Sequence, residues 1–322
     1  LQKDLKDYQN LAFAVFSTLF PTEFLDLQSL SGKKITIIPD YNLQNLPFEA
    51  WTTAADGNLG EAYLINDFEF SYDYSISFKK ENRKIDRGDK SISISGFAPI
   101  QFEDERLSNL KGSEIEIEEV TSLLSGKSFL RDMASKQNFF EYANQSDIVH
   151  LSTHANASDS ISPWIAFADD RLSLNEIYTA TINAEMVMLS ACNSAQGKVR
   201  RGEGVMSLAR GFFLAGANSV VCSLWNVDDR SGQEITTNFY RYLQENETRS
   251  AALRSAKLNF LKQHSLSEIS PFYWSSLIII GEQGTIKTLE QNNFWWLFYF
   301  AMAVTTTMII ALIIRKLKTN TA

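Results

Sequence analysis

Two segments hold the residues whose types and spacing suit chemistry. Residues 147–155 read DIVHLSTHA, and residues 186–197 read MVMLSACNSAQG. Each opens as a short apolar run and ends in small and polar residues, the pattern of a buried strand followed by a loop at its carboxyl end. In open parallel sheets, reactive groups collect at those ends. His154 stands at one end and Cys192 at the other. A thiol is a modest nucleophile until its proton is taken, and an imidazole is the usual side chain to take it. The chemistry these two suit is acyl transfer through a Cys/His dyad. Against it stands the ordinary role of a free cysteine, that of a small buried hydrophobe. Cys222, mid-run between Val221 and Ser223, is read in that ordinary way.

His150 lies four residues before His154, on the same side of a regular strand. It is open to use as a partner of the dyad or as a metal ligand. His-x-x-x-His suits zinc on a helix, however, and this run is a strand with no further ligand cluster. A core histidine is the simpler reading.

The elements that must position these residues alternate between strand and helix patterns. Strands are expected at 34–39 (KITIIP, short and buried), 91–97, 147–155, 186–191, 219–225 and 272–280, with uneven edge strands within 61–77. Helices are expected at 3–19, ended by Pro21, and at 113–124, 135–144, 205–215, 231–244 and 249–264. The segment 113–124 is acidic and amphipathic, with Ile115, Ile117, Val120, Leu123 and Leu124 as its apolar residues. Residues 170–180 suggest a turn and a short helix, and Gly216 ends the helix before it. The alternation favours an α/β fold with a mainly parallel sheet flanked by helices. Residues 81–90 (ENRKIDRGDK) are charged and contain glycine, which marks a lobe boundary.

With 322 residues and 44% hydrophobic content, the chain can bury one large core or two modest ones. A net charge of −8 argues against a general nucleic-acid binder. Two cysteines, both at or near expected strands, do not make a disulfide framework. The chain opens on Leu1 rather than methionine, so a preceding region is expected. Residues 294–314 form a run of 21 positions without a charge. At about 1.5 Å per residue this run reaches roughly the 30 Å of a bilayer core. Trp295, Trp296 and Tyr299 cluster at its start, and Arg315, Lys316 and Lys318 follow it, as at a membrane interface. A transmembrane helix is expected there, with the lipid bilayer as its partner.

Six blocks in order resemble the CHAT domain, a caspase-like domain often found beside tetratricopeptide repeats. They are 37–51 (IIPDYNLQNLPFEAW), 95–99 (SGFAP), DIVHLSTHA, MLSACNSAQG, 202–229 (GEGVMSLARGFFLAGANSVVCSLWNVDD) and 271–281 (PFYWSSLIIIG). The resemblance implies a caspase-like sheet and a clan of cysteine endopeptidases acting on protein substrates. By it, His154 matches the dyad histidine and Cys192 the nucleophile. The backbone N–H groups of Cys192 and Ala155 are candidates for the oxyanion hole. Many relatives carry glycine where Ala155 stands, so an added methyl group here bears on efficiency. Separases, which are related, use an acidic residue in a stretch like 225–229 to hold a basic P1 side chain, the residue before the cut. Asp228 and Asp229 are therefore candidate substrate-binding residues; Trp225, as a pocket wall, and Glu203, in the tight turn 202–204 that can approach a substrate, are candidates on their own pattern. Asp229 is equally read as the N-cap of the helix from Ser231, Trp225 as packing, and Glu203 as a helix cap. No cofactor is implied.

The resulting division is 1–90 as a non-catalytic N-terminal part, 91–282 as the catalytic caspase-like part, 283–293 as a juxtamembrane linker, 294–314 as the membrane helix and 315–322 as a basic tail. The leading expectation is a membrane-anchored cysteine endopeptidase governed by an N-terminal region such as repeats. The alternative keeps the fold as a catalytically silent scaffold. A weaker third is zinc hydrolysis through His150 and His154. Orientation stays open: the charge rule puts the tail in the cytoplasm and the protease outside, whereas a tail anchor would leave the protease inside.

Overall fold

Strand β5 (Ile148–Leu151) is buried at every position, and so are β3 (Ile94–Ala98), β9 (Met186–Leu189), β10 (Ser219–Ser223) and β11 (Leu277–Gly281). Runs buried on both faces lose the alternation of an exposed strand, and that is why they read as continuous apolar segments. The computed structural model describes residues 2–21, 27–81, 92–124, 126–156, 162–190, 204–225, 228–265 and 267–286. Residues 1–288 form one compact unit.

The main sheet also contains β1 (Lys34–Ile37), β2 (Glu69–Tyr72) and β4 (Lys127–Leu130). Its eight strands lie in the order β1-β2-β11-β10-β9-β5-β3-β4. Every pair is parallel except β10 with β11. One antiparallel seam thus joins a block of three strands to a block of five running the other way. The α/β reading with a mainly parallel sheet holds. Three local expectations change. β1 is half-buried because it is the sheet's edge. β2, expected at an edge, pairs on both sides. Residues 272–280 split into a turn of helix, Pro271–Trp274, and then β11, because proline suits the first turn of a helix.

Successive residues of each strand point to opposite faces, so the sheet divides its core in two. Val149, Leu151, Val187, Leu189, Val220 and Cys222 pack on one side, with Leu208 and Phe212 of the helix Gly204–Leu214. Ile148, Met186, Met188 and Val221 pack on the other. That second face is covered by the helices Lys111–Leu123, Asp229–Gln244 and Arg249–Gln263. The helix Lys111–Leu123 lies close on β3 because Gly96 has no side chain: a Cβ there would meet Ile117 Cγ2 at 2.8 Å. The helix Gly204–Leu214 ends as expected, with Gly216 at φ +106°, a left-handed value that glycine adopts without strain.

A buried ionic knot ties the early strands to the rest. Lys257 Nζ donates to Glu49 Oε1 (2.6 Å) and to the Leu277 carbonyl (2.5 Å), and Tyr72 donates its hydroxyl to Glu49 Oε2 (2.6 Å). The side chains of Lys257 and Glu49 are 2% and 4% exposed. A small antiparallel sheet of β6 (Ala155–Asn156), β7 (Trp164–Ala166) and β8 (Arg171–Ser173) extends from the end of β5. It replaces part of the turn expected at 170–180. The helix Leu174–Thr179 then follows, with Ser173 and Glu176 as a capping box. Among the described residues no helix is long and apolar enough to cross a membrane. The run 294–314 and all but the first residue of the boundary segment 81–90 lie outside the described residues.

Candidate active site

β5 and β9 pair in parallel with Leu151 opposite Leu189, so both strands end at the same level. Beyond β5 come Ser152, Thr153 and His154, and beyond β9 comes Ser190. Cys192 and Glu203 lie outside the described residues. Side-by-side carboxyl ends are where an open parallel sheet forms a crevice. The geometry on the His154 side is defined in detail.

His154 is only 9% exposed. Its Nε2 lies 2.7 Å from the carbonyl oxygen of Ser108 and 3.5 Å from the Ser108 hydroxyl. A carbonyl only accepts, so Nε2–H is the donor. In the neutral ring the basic lone pair is then on Nδ1. The Phe102 ring lies 5.0 Å from the imidazole centroid. Both contacts come from the loop after β3, which is fastened at several points. Leu110 N–H donates to Ile100 O (2.9 Å), and Glu103 N–H donates to Ala168 O (3.2 Å). Asp104 pairs with Arg171 of β8, whose guanidinium lies 4.0 Å from the Trp164 ring centroid. Asp104 also takes both arms of Arg106 (2.7 and 2.8 Å), which hold its carboxyl well below the usual carboxylate range.

The His154 carbonyl accepts from Ala166 N–H at 2.8 Å. Bonded and non-bonded pairs alternate along an antiparallel ladder, so the next pair, Ala155 with Ile165, is non-bonded. Ala155 N–H therefore points away from β7. Among the described residues β6 is the edge strand of its sheet.

His150 is fully buried in the middle of β5. Its Nε2 meets Glu116 Oε1 at 2.9 Å, and its ring stacks on Tyr240 (5.5 Å, 18°). Ser152 donates its hydroxyl to the other oxygen of Glu116, at 3.2 Å. Both histidines thus have Nε2 engaged within the protein, His150 with Glu116 and His154 with Ser108. Among the described residues no group of three or more histidine, cysteine or acidic side chains is placed to hold a metal. Cys222 is fully buried, and burial pushes its thiol up to about 12, so it carries essentially no thiolate at neutral pH.

The strand ends open into a small cleft of about 40 Å³. It lies between the helices Lys111–Leu123 and Asp229–Gln244, and Glu116, Ser152, Ser190, Asp228, Asp229 and Thr236 are among its lining residues. Asp228 caps the second helix: its carboxylate accepts from Ser231 N–H (3.1 Å) and the Ser231 hydroxyl (3.0 Å). The cap expected at Asp229 therefore falls one residue earlier, because the helix begins at Asp229 and not at Ser231. Asp229 is exposed in the first turn. Trp225 is half-buried, and its Nε1–H donates to the Phe272 carbonyl (3.0 Å).

Sequence reasoning did not single out Ser108, Glu116 or Thr236. A carbonyl such as that of Ser108 leaves no side-chain signature. Glu116 had one. It lies with Ser113, Ile117, Val120 and Thr121 on the buried face, whereas Ile115, counted as apolar lining, is 51% exposed. Helical spacing placed an acid inside that face and an isoleucine outside it.

The sequence profile of the CHAT domain matches residues 9–282. Human tetratricopeptide repeat protein 28 is 26% identical over 148 residues, which is 46% of this chain and 6% of that protein. The chain thus spans only a small part of the curated relatives' length. Among solved structures, the complex of Porphyromonas gingivalis RgpB pro- and mature domains superposes with a TM-score of 0.53 at 8% identity, covering 89% of this chain and 78% of that one. The Arg-specific cysteine proteinase gingipain R gives 0.51 at 7% identity, covering 89% and 68%. Likeness at such identity speaks to the fold alone. The profile match spans the sheet, the His154 loop and the cleft together, and on that ground the chain belongs to the CHAT domain family.

Proposed function

We propose that this chain is a cysteine endopeptidase in which His154 and Cys192 form the catalytic pair. The observation that carries the reading is the tethered imidazole. Nε2–H is held on the Ser108 carbonyl, which leaves Nδ1 as the base, at the end of the strand beside the one that leads to Cys192. Nδ1 takes the thiol proton, and the thiolate attacks the substrate carbonyl. The oxyanion is received by the N–H groups of Cys192 and Ala155. The imidazolium returns its proton to the leaving amine, and water then releases the acyl group from sulfur by the same base. Asp228 and Asp229 line the cleft and would add negative charge near a basic P1 side chain.

Family membership and the fold shared with a cysteine proteinase support this reading. The run 294–314 would anchor the enzyme in a bilayer, and an N-terminal repeat region would govern it, in keeping with a relative named for tetratricopeptide repeats. That same relative favours the second reading, an interaction module with the dyad at rest. The deciding experiment incubates the wild-type chain and Cys192→Ala with a peptide library and maps cut sites by mass spectrometry. Cleavage by wild type alone supports the enzyme. Equal cleavage by Cys192→Ala, or none by either, overturns it in favour of the module.

A further inference from the structure

Glu116 stands where the cleft and the His154 loop meet. It is 6% exposed, lines the cleft and points both carboxylate oxygens at protein donors, His150 Nε2 at 2.9 Å and the Ser152 hydroxyl at 3.2 Å. An ionised carboxylate offers about four acceptor positions. His150 and Ser152 occupy one each, which leaves the carboxylate oriented yet able to accept two more hydrogen bonds. Opposite lies Thr236, a fully buried residue whose hydroxyl has no hydrogen-bond partner among the described residues. Asp228 and Asp229 stand on the same wall, and none of the described lining residues is lysine or arginine. A buried hydroxyl without a partner leaves a desolvation penalty unrelieved. A cationic donor group entering the cleft would relieve it and meet a concentration of negative charge.

We infer that Glu116 is the specificity-determining residue of this cleft and that the cleft takes a guanidinium or ammonium side chain. The inference rests on the endopeptidase reading for its purpose but not for its test. Asp228 is committed to the helix cap, and Asp229 is exposed to solvent, where a charge is screened. Glu116 is the carboxylate held at low exposure by two neighbours, so its charge acts in a drier setting. Ser190, two residues before Cys192, belongs to the lining.

The test uses the full chain and three methanethiosulfonates of matched size, carrying an ammonium, no charge or a sulfonate. Each forms a mixed disulfide with the Cys192 thiolate and releases methanesulfinate. Rates are divided by those on a small free thiol. Wild type should favour the ammonium reagent over the neutral one by about tenfold. Glu116→Gln should lose most of that preference, and Glu116→Asp should retain it. Glu118→Gln, an exposed position on the same helix, should leave it unchanged. A purely structural role for Glu116 would change all three rates together. A ratio near one in wild type, or an unaltered ratio in Glu116→Gln, overturns the inference. Should Glu116 variants not fold, agmatine must slow modification of wild type by the neutral reagent where an uncharged analogue does not; equal effects also overturn it. If His154→Gln leaves Cys192 reactivity untouched while the charge preference persists, the catalytic reading fails and the inference about the cleft stands.

Discussion

Thiol reactivity tests the dyad without a known substrate, because the chain holds two cysteines and one of them is silent. Cys222 is fully buried with its thiol pushed up to about 12, so its thiolate fraction at pH 6.0 is on the order of one in a million. Modification of the native chain then reports Cys192 alone. An ordinary thiol near 8.5 is about 0.3% thiolate at pH 6.0. A thiol paired with imidazolium and lowered to about 6.5 is about 24% thiolate there. The gain in thiolate is roughly 80-fold. A lower pKa also weakens the nucleophile, by about eightfold over two units at a Brønsted slope near 0.45. The net advantage of wild type over His154→Gln at pH 6.0 is about tenfold. At pH 9.5 both thiols are largely ionised, and the order reverses: the unpaired thiolate of His154→Gln is faster by about sevenfold. The sign follows from the direction of the shift, since a depressed thiol has its excess of thiolate only below the ordinary pKa. The assay is stopped-flow modification with a neutral methanethiosulfonate from pH 5.5 to 10, with the site read by mass spectrometry. Parallel rate profiles without a crossing would refute the pairing of His154 with Cys192. Modification of native Cys222 at a comparable rate would refute the account of the interior.

Two stability predictions follow from contacts away from that pair. Lys257→Met strands Glu49 as an unpaired buried carboxylate and removes a donor from the Leu277 carbonyl, so it should lower unfolding free energy by about 3–5 kcal/mol in urea titration. A loss under about 1 kcal/mol would mean the pair is wet rather than buried. Asp228→Ala deletes the cap on Ser231 N–H and should cost about 1 kcal/mol, whereas Asp229→Ala, one position into the helix, should cost less. Equal losses would return the cap to Asp229.

Much of the fold was legible from the chain itself. Runs such as MVML and SVVCS are buried on both faces, and a parallel sheet requires that of strands; their order along the chain, interleaved with helical periodicity, was enough for the α/β class. His154 could be placed at a strand end by the same local pattern. What needed the folded structure were contacts between positions far apart in sequence. Ser108 meets His154 across 46 residues, and Glu116 meets His150 across 34. Periodicity tells which side of an element is buried, but not which element will lie against it. The place of β2 inside the sheet, the antiparallel seam at β10 and β11, and the fully buried histidine beside a carboxylate all depend on such pairings. Local sequence carries propensity and pattern, and those determined the elements. The partners of each buried polar group were decided by packing, because only the closed fold brings a donor to within hydrogen-bond reach of an acceptor that water has left.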